Sequence, residues 1–232
     1  MVAVGFAIAC TALDAAAAEL AEATKRILEQ TNEFRAAQSV EPVATSRELA
    51  AAADAFARFI AQSANLSHTA DGRQPAERAS AQGYDPCIVS ENIAYLYRSA
   101  GYDAPALAEE MVEGWKKSPG HRKNMLDPAV TQTGIGIAQD AKGRYFGVQM
   151  FGRPKASAIR FSLRNRSAQK IEYRAGERRF SLPPRAERTH TVCRPLEITI
   201  ELPKPFNVLA SDGASYVVVE RAGALAVQTG SD

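Results

Sequence analysis

Histidine is the side chain best suited to chemistry near neutral pH, and this chain contains three. His68 and His121 lie in segments interrupted by glycine and proline, where functional side chains are commonly presented, whereas His190 lies in a run that favours a β-strand. Imidazole transfers protons and ligates metals, but it also serves as a structural hydrogen-bonding group. The three histidines form no contiguous metal motif, and the chain shows no nucleophile elbow. These residues by themselves therefore define no reaction.

Cysteine is the second informative residue type, and the chain contains Cys10, Cys87 and Cys193. If Cys10 is removed with an N-terminal leader, Cys87 and Cys193 remain as an even pair that an oxidising compartment would allow to form a disulfide. The alternative is two unpaired, buried thiols, because the sequence does not give the distance between the two Cα atoms.

The N-terminal segment favours export from the cytoplasm. Residues 2–13 form a short apolar stretch, and the alanines at 15–18 offer small residues for signal-peptidase cleavage, although no Lys or Arg precedes the stretch. We therefore expect residues 1–18 to be a signal peptide and the protein to be secreted or periplasmic. The alternative is the start of an Ala-rich helix that continues to Gln30.

The elements that must position these side chains begin with helices. Apolar residues at helical spacing predict one helix around residues 20–34 and another around 49–60, with Ser46 as its N-cap. The same pattern predicts a third helix over Ala106–Lys117, which the following Ser-Pro-Gly stops.

Strands follow the helices along the chain. A polar stretch over residues 65–86 is expected to hold loops and short helical turns. Residues 134–138 and 144–151 predict a β-hairpin, with Phe146, Val148 and Met150 on one face of its second strand. Helices followed by strands indicate an α+β fold.

The composition describes a globular protein: 46% of its 232 residues are hydrophobic and 23% are charged, and no apolar run is long enough for a transmembrane helix. A net charge of +2 gives no indication of a nucleic-acid partner. The charge is uneven, however. Residues 1–154 carry 15 basic and 18 acidic side chains, a net charge of −3, whereas residues 155–232 carry 13 and 8, a net charge of +5. We therefore expect two units that meet near Pro154.

Beyond Pro154 the sequence consists of short β-prone runs separated by turn residues, which is typical of a small all-β sandwich or barrel. The predicted strands are Ala158–Leu163, Lys170–Tyr173, Arg179–Leu182, Arg188–Cys193, Leu196–Glu201, Tyr216–Glu220 and Leu225–Gln228. The arginines of this part are expected to lie on a solvated face of the sandwich. Docking of these arginines on anionic envelope polymers or lipid headgroups is the alternative.

Short motifs at intervals along the first part occur in a characteristic order. They are Asn32-Glu33-Phe34-Arg35, Leu66-Ser67-His68, Arg78 to Gly83-Tyr84, Glu91-Asn92-Ile93-Ala94, Ser118 to Leu126 and Gly134 to Ala138. In order and spacing they resemble the bacterial branch of the CAP superfamily (cysteine-rich secretory proteins, antigen 5 and pathogenesis-related 1, or SCP domain) over residues 25–152. The resemblance implies an α-β-α sandwich and an exported protein. Together with the N-terminal apolar stretch and the change in charge and texture near Pro154, it gives the expected division into a leader at 1–18, a CAP domain at 19–153 and a β domain at 155–232.

The resemblance implies a cleft that gathers two histidines and two acidic residues. Matched by motif, these are His68, Glu91 and His121, while Ser118 stands at the second acidic position. Glu110 and Glu113 do not replace the missing acid, because helix geometry places them on a different face or two turns away.

The remaining groups allow three interpretations. Two imidazoles and a carboxylate match the ligands of an open site for zinc or another divalent cation. Without a metal, Glu91 would orient one imidazole or bind a polar ligand. The structural interpretation is that these side chains join helix ends to the sheet through hydrogen bonds. Asn92 is expected to bond local backbone.

We expect an exported binding or interaction module at the cell envelope rather than an enzyme. Its cleft, formed by His68, Glu91 and His121, would take a metal ion or a small polar or lipidic ligand, and its β domain would attach to an envelope component. The alternative is a metal-dependent hydrolase of peptides or cell-wall material, with Glu91 as ligand or general base. The sequence gives no oligomeric state.

Overall fold

The computed structural model describes residues 5–231 of the chain and the side chains of residues 15–230. Within it the chain divides into two compact units, Met1–Pro154 and Lys155–Asp232. Residues 1–4 of the expected leader and the side chain of Cys10 lie outside the described part, so the leader stays a prediction.

The first unit combines helices with one sheet. Its elements are α1 Gly5–Ala37, β1 Ala44–Thr45, α2 Arg47–Ser63, α3 Pro75–Ala81, β2 Pro86–Leu96, α4 Ala104–Lys117, α5 Pro119–Met125, β3 Gln132–Gln139 and β4 Tyr145–Pro154. The sheet has the order β1-β3-β4-β2, and its strands are antiparallel except for the short parallel pair β1–β3. The strand β2 therefore lies at an edge of the sheet.

The sheet lies between two helical layers, because side chains alternate between its faces. On β4, Phe146, Val148 and Met150 pack with α2 and α3 in one apolar cluster. Tyr145 and Phe151, which point the other way, pack with α1 and α4 in a second cluster. The first unit is thus an α-β-α sandwich, as the sequence predicts.

Two glycines of β3 allow α2 to lie directly on the sheet. A Cβ added to Gly134 would overlap the backbone of Ala50, and one added to Gly136 would overlap the backbone of Asp54. The backbones of α2 and β3 are therefore in direct contact, whereas a helix and a strand that pack together are usually separated by side chains. This contact explains why the hairpin carries glycine at alternate positions on one face.

Side-chain caps fix where two of the helices begin. Ser46 accepts a hydrogen bond from the Leu49 amide at 3.2 Å at the start of α2, as predicted. Asp103 accepts one from the Ala106 amide at 2.8 Å at the start of α4. Because its cap precedes the predicted start, α4 begins two residues earlier than its periodicity suggests.

The second unit consists of strands apart from one short 3-10 turn at Lys155–Ser157. Its strands are β5 Ile159–Asn165, β6 Ile171–Ala175, β7 Arg178–Leu182, β8 Glu187–Val192, β9 Glu197–Glu201, β10 Phe206–Leu209, β11 Ala214–Arg221 and β12 Ala224–Ser231. Within the described residues they form two sheets, in the orders β12-β11-β5-β8 and β10-β9-β6-β7, and neither sheet closes into a barrel. Both sheets contribute to a single apolar core, so the unit is a sandwich.

Four of the described elements escape the sequence prediction, and one of them is the two-residue strand β1. α5 follows α4 after a single residue, whereas the Ser-Pro-Gly segment predicts only the end of a helix: Pro119 occupies the first turn of α5, where its missing N–H costs nothing. β2 runs through residues with no clear alternation of polarity. β10 lies directly after Pro203 and Pro205, which predict a break between strands.

Candidate functional site

The candidate site begins with a direct contact between two side chains that lie 23 residues apart in the sequence. His68 Nδ1 lies 2.8 Å from Glu91 Oε1. The loop before α3 carries the histidine and the edge strand β2 carries the glutamate. The Glu91 side chain is only 1% exposed, whereas that of His68 is 47% exposed. The carboxylate is therefore an internal anchor, and the imidazole presents its other edge to solvent.

A buried arginine neutralises this carboxylate. Arg78 of α3 is 5% exposed, and its Nη2 donates to Glu91 Oε2 at 2.7 Å and to the carbonyl oxygen of His68 at 2.9 Å. Its Nη1 donates to Asp71 Oδ1 and to the carbonyl oxygen of Arg73, both at 2.8 Å. A buried charge requires such partners, since desolvation alone would strongly disfavour it. One guanidinium thus fixes both the carboxylate and the loop that carries the histidine.

The guanidinium of Arg78 also packs on a ring from the helical layer. Its Cζ lies 3.6 Å from the centroid of Phe56, which α2 buries in the core. This cation–π contact uses the face of the guanidinium and leaves its edge for hydrogen bonds. The position of Arg78 is therefore set by core packing as well as by charge.

His121 approaches the same site from α5. Burial lowers the pKa of His121, and the positive charge of His68 lowers it further. This second cause requires the two imidazoles to be near each other. His121 is consequently a neutral imidazole at pH 7, with an unprotonated ring nitrogen available as hydrogen-bond acceptor or ligand.

Two asparagines hold α5 against the edge strand. Asn92 Nδ2 donates to the carbonyl oxygen of His121 at 3.2 Å, and Asn124 Nδ2 donates to Asn92 Oδ1 at 2.9 Å and to the carbonyl oxygen of Glu91 at 3.1 Å. The expectation that Asn92 bonds local backbone is wrong, because its amide joins segments 29 residues apart. These bonds couple the position of His121 to that of Glu91.

Ser118 lies at the junction of α4 and α5, as the last cap residue of α4 and the first of α5, and its side chain makes no capping hydrogen bond to α5. Its hydroxyl brings no negative charge to this position. The two acids of α4 are engaged elsewhere: Glu113 pairs with Lys116 and Glu110 pairs with Arg98, each at 2.9 Å. As expected from helix geometry, neither glutamate replaces the second acid of the family's cleft.

The fit of a divalent cation can be tested on Glu91. Both of its oxygens are occupied, one by His68 and the other by Arg78. Among the side chains that the structure describes, no group of three or more His, Cys, Asp and Glu is arranged to hold a metal ion. The expected set of His68, Glu91 and His121 therefore does not fit as three direct ligands in this arrangement.

Sequence reasoning identified His68, Glu91 and His121 but gave no role to Arg78 or Asn124. Composition and periodicity do not distinguish buried Arg78 from exposed Arg73. The one signal for Arg78 is Glu91 itself, because a carboxylate on a strand that faces the core needs a cation as partner. His190, the third histidine, belongs to the second unit, where it contacts Tyr173.

Comparison with known protein families identifies the family of this chain. The model of the cysteine-rich secretory protein family, CAP, matches residues 28–151, which is more than half of the chain. The chain belongs to the CAP family, as the motifs predict.

One curated relative is uncharacterized protein YkwD of Bacillus subtilis (strain 168). It is 28% identical over 130 residues, which cover 56% of this chain and 47% of the relative. This chain thus matches less than half the length of that protein, and the match gives no activity to transfer.

Two solved structures are similar to part of this chain. An outer surface protein from Borrelia burgdorferi has a TM-score of 0.50 at 18% identity, covering 58% of this chain and 94% of that one. An extracellular protein containing an SCP domain from Bacillus anthracis str. Ames has a TM-score of 0.47 at 23% identity, covering 56% and 40%. At these identities the likeness concerns the fold alone.

No helix within the described residues is both long and apolar enough to cross a lipid bilayer.

Proposed function

We propose that this chain is an extracytoplasmic binding protein of the cell envelope, and that its cleft binds a ligand between the imidazoles of His68 and His121. The bound group would be an electron-pair acceptor, either a divalent cation or an N–H or O–H donor of a small polar ligand. The observation that carries this proposal is the hydrogen bond between His68 and buried Glu91, which Arg78 holds in place.

The chemistry of this hydrogen bond determines which edge of His68 is available. An ionised carboxylate only accepts hydrogen bonds, so the Nδ1–H of His68 donates to Glu91. In the neutral ring the lone pair then resides on Nε2, on the exposed side of the residue. Burial lowers the pKa of His121, and a proton on His68 would lower it further, so the His121 ring favours its neutral form. Two imidazoles with free lone pairs suit a borderline-soft divalent cation or a polar donor.

Glu91 orients His68 in this proposal and is not a ligand itself. Carboxylates commonly stand behind ligating histidines in this way, where they fix the tautomer and raise the basicity of the ring. A cation held by two protein ligands, with water at its other positions, would bind weakly and exchange readily. Such a site suits reversible binding better than a permanently held structural metal.

The geometry favours binding over hydrolysis. A hydrolase would need Glu91 as a metal ligand or as a general base within reach of a water molecule. To serve either purpose, the carboxylate would have to give up its hydrogen bond with His68, which orients the imidazole, or its buried ion pair with Arg78, whose loss is costly. Ser118, at the second acidic position, supplies no replacement.

The extracytoplasmic location rests on the expected leader at residues 1–18 and on the family, whose members include secretory proteins. The likeness of the first unit to an outer surface protein agrees with this location. The envelope component to which the β domain would attach stays part of the proposal.

Zinc ions alone provide a direct probe of the two lone pairs. We expect isothermal titration calorimetry to show one weakly bound Zn²⁺ per chain, and NMR to show shifts of the His68 and His121 ring signals. The double variant His68→Ala/His121→Ala should lose this binding, whereas His190→Ala should retain it. Absence of saturable binding to the wild-type protein, or equal binding by the double variant, would contradict the proposal.

A further inference from the structure

A cluster of aromatic and arginine side chains lies on two edge strands of the β sandwich. The strand β8 is an edge strand of its sheet. In its register with β5, His190 lies opposite Phe161 and Arg188 lies opposite Leu163. Residues paired across strands share a face. Since Phe161 and Leu163 are core residues, His190 and Arg188 lie on the core-facing side of the edge strand.

The edge strand of the second sheet repeats this arrangement. On β7, Phe180 lies opposite Tyr173 of β6, and Arg178 lies opposite Ala175. Tyr173 and Ala175 are both buried. Each sheet therefore places one aromatic ring and one arginine on the inner side of its exposed edge.

These side chains converge on Phe180. The guanidinium carbons of Arg188 and Arg178 lie 5.2 and 5.8 Å from the centroid of its ring. The ring of His190 is 4.9 Å away from it, and His190 Nε2 lies 2.7 Å from the hydroxyl oxygen of Tyr173. The result is a half-buried aromatic floor, formed by Phe180 and His190, with one exposed guanidinium from each sheet close to it.

The two arginines are not neutralised by neighbouring acids. Other arginines of the sandwich form ion pairs, Arg164 with Glu187 at 2.6 Å and Arg179 with Glu201 at 2.8 Å. Among the residues that the structure describes, neither Arg178 nor Arg188 has an acidic side chain within ion-pair distance. Their charges lower the pKa of His190, for which burial is the larger cause. The cluster thus holds two uncompensated positive charges beside a neutral imidazole.

We propose that Arg178 and Arg188, beside the rings of Phe180 and His190, form a binding site for a phosphomonoester group, carried by a small soluble molecule or by a lipid headgroup that ends in a phosphomonoester. A guanidinium presents parallel N–H donors that match pairs of phosphate oxygens. A phosphomonoester carries close to two negative charges and three terminal oxygens, so it matches two guanidiniums in charge as well as in hydrogen-bond acceptors, whereas a carboxylate carries one charge. The aromatic floor excludes water from one side and strengthens these bonds.

A purely structural role predicts something different. Charged side chains that point inward from edge strands prevent sheets from pairing edge to edge, and one charge on each edge is sufficient for that purpose. Preventing edge-to-edge pairing does not require both guanidiniums to lie near the same ring. Loss of the two arginines would then favour self-association and leave phosphate binding unaffected.

NMR of the full chain tests the proposal, with the ring signals of His190 as the readout. We expect titration with inorganic phosphate or with glycerol 1-phosphate to shift these signals saturably. The double variant Arg178→Gln/Arg188→Gln should bind at least about tenfold more weakly, as loss of charge-assisted bonds to both guanidiniums requires. The control Arg164→Gln/Arg179→Gln removes the same net charge from paired arginines and should bind like the wild type.

Vesicles distinguish the two sources of phosphate. If the ligand is a lipid headgroup, sedimentation should show binding to vesicles that contain phosphatidic acid and not to phosphatidylcholine vesicles, with the binding lost in the Arg178/Arg188 variant only. Binding of the small phosphates without vesicle binding would identify a soluble phosphomonoester. The proposal is overturned if the His190 signals respond to neither probe and vesicles do not bind, or if both double variants weaken binding equally. Far-UV circular dichroism of each variant verifies that it is folded.

Discussion

Glu91 is the residue on which the geometry of the cleft depends. Its two oxygens receive hydrogen bonds from His68 and Arg78, and both its own side chain and that of Arg78 are almost fully buried. This arrangement links the orientation of a solvent-facing imidazole to the core of the sandwich. Stability and ligand binding are therefore expected to respond together to changes at this position.

The variant Glu91→Gln tests this dependence. It leaves Arg78 buried beside a neutral amide, and breaking a buried ion pair costs roughly 3–5 kcal/mol of unfolding free energy. Urea unfolding followed by the fluorescence of Trp115, the single tryptophan, measures this loss. Glu110→Gln, which breaks an exposed pair with Arg98, should cost no more than about 1 kcal/mol. Equal losses of unfolding free energy in the two variants would show that the buried pair of Glu91 and Arg78 contributes no more to stability than an exposed pair.

The pKa of His121 leads to a prediction about acid stability. Burial, followed by the charge of His68, lowers this pKa in the folded protein, so the unfolded chain binds the proton more readily. The unfolding free energy should therefore decrease as the pH falls below the unfolded pKa of about 6.5 and continue to decrease towards the folded pKa. In His121→Gln this dependence should be weaker between pH 6.5 and 5. An unchanged slope in urea unfolding across that range would contradict the prediction.

The sequence predicts the side chains that would contact a bound ligand better than it predicts the side chains that hold them in place. His68, Glu91 and His121 carry the family's motifs, and imidazoles and carboxylates are recognisable as chemical groups. Arg78 and Asn124 act by reaching backbone and side-chain atoms that are distant in the sequence. Such partners depend on the packing of α3 and α5 against β2, which periodicity does not describe.

Among the contacts between elements, the contact of α2 with β3 restricts the sequence most, because it requires glycine on the strand. Gly134→Ala should destabilise the protein by about 3 kcal/mol or more. The added methyl group would overlap the backbone of α2 at Ala50, so the helix would have to move away from the sheet. Gly114→Ala is a matched control: the site lies within α4 with open space around it, and alanine should stabilise that helix by about 0.5–1 kcal/mol. Unfolding free energies of the two variants measure the difference. Comparable stabilities would refute the close approach.

Strongly periodic elements were predictable, whereas elements defined by their surroundings were not. The helices α1, α2 and α4 and the hairpin β3–β4 follow from apolar spacing and caps. The strand β2 mixes half-buried and buried positions because it lies at a sheet edge, and this mixture removes the alternation that predicts a strand. β10 is also an edge strand, and the prolines before it conceal it.

For the molecule as a whole, the difference in charge between its two parts accompanies a division of the chain at Pro154. The pairing of Cys87 with Cys193 stays a prediction. In exported protein that has lost residues 1–18, we expect no reactive thiol under denaturing, non-reducing conditions and two thiols after reduction. Two thiols without reductant would exclude the disulfide, and an intact N-terminus determined by mass spectrometry would exclude cleavage of the leader.

The most direct test of the shared cleft is the titration of His121, followed by NMR, in the wild type and in His68→Gln. Since the charge of His68 lowers the pKa of His121, this variant should raise that pKa, while burial should still keep it below about 6.5. Arg58→Gln, which removes an exposed positive charge from α2, should leave it unchanged. A His121 pKa that is the same in the wild type and in His68→Gln would mean that the two imidazoles do not face a common ligand.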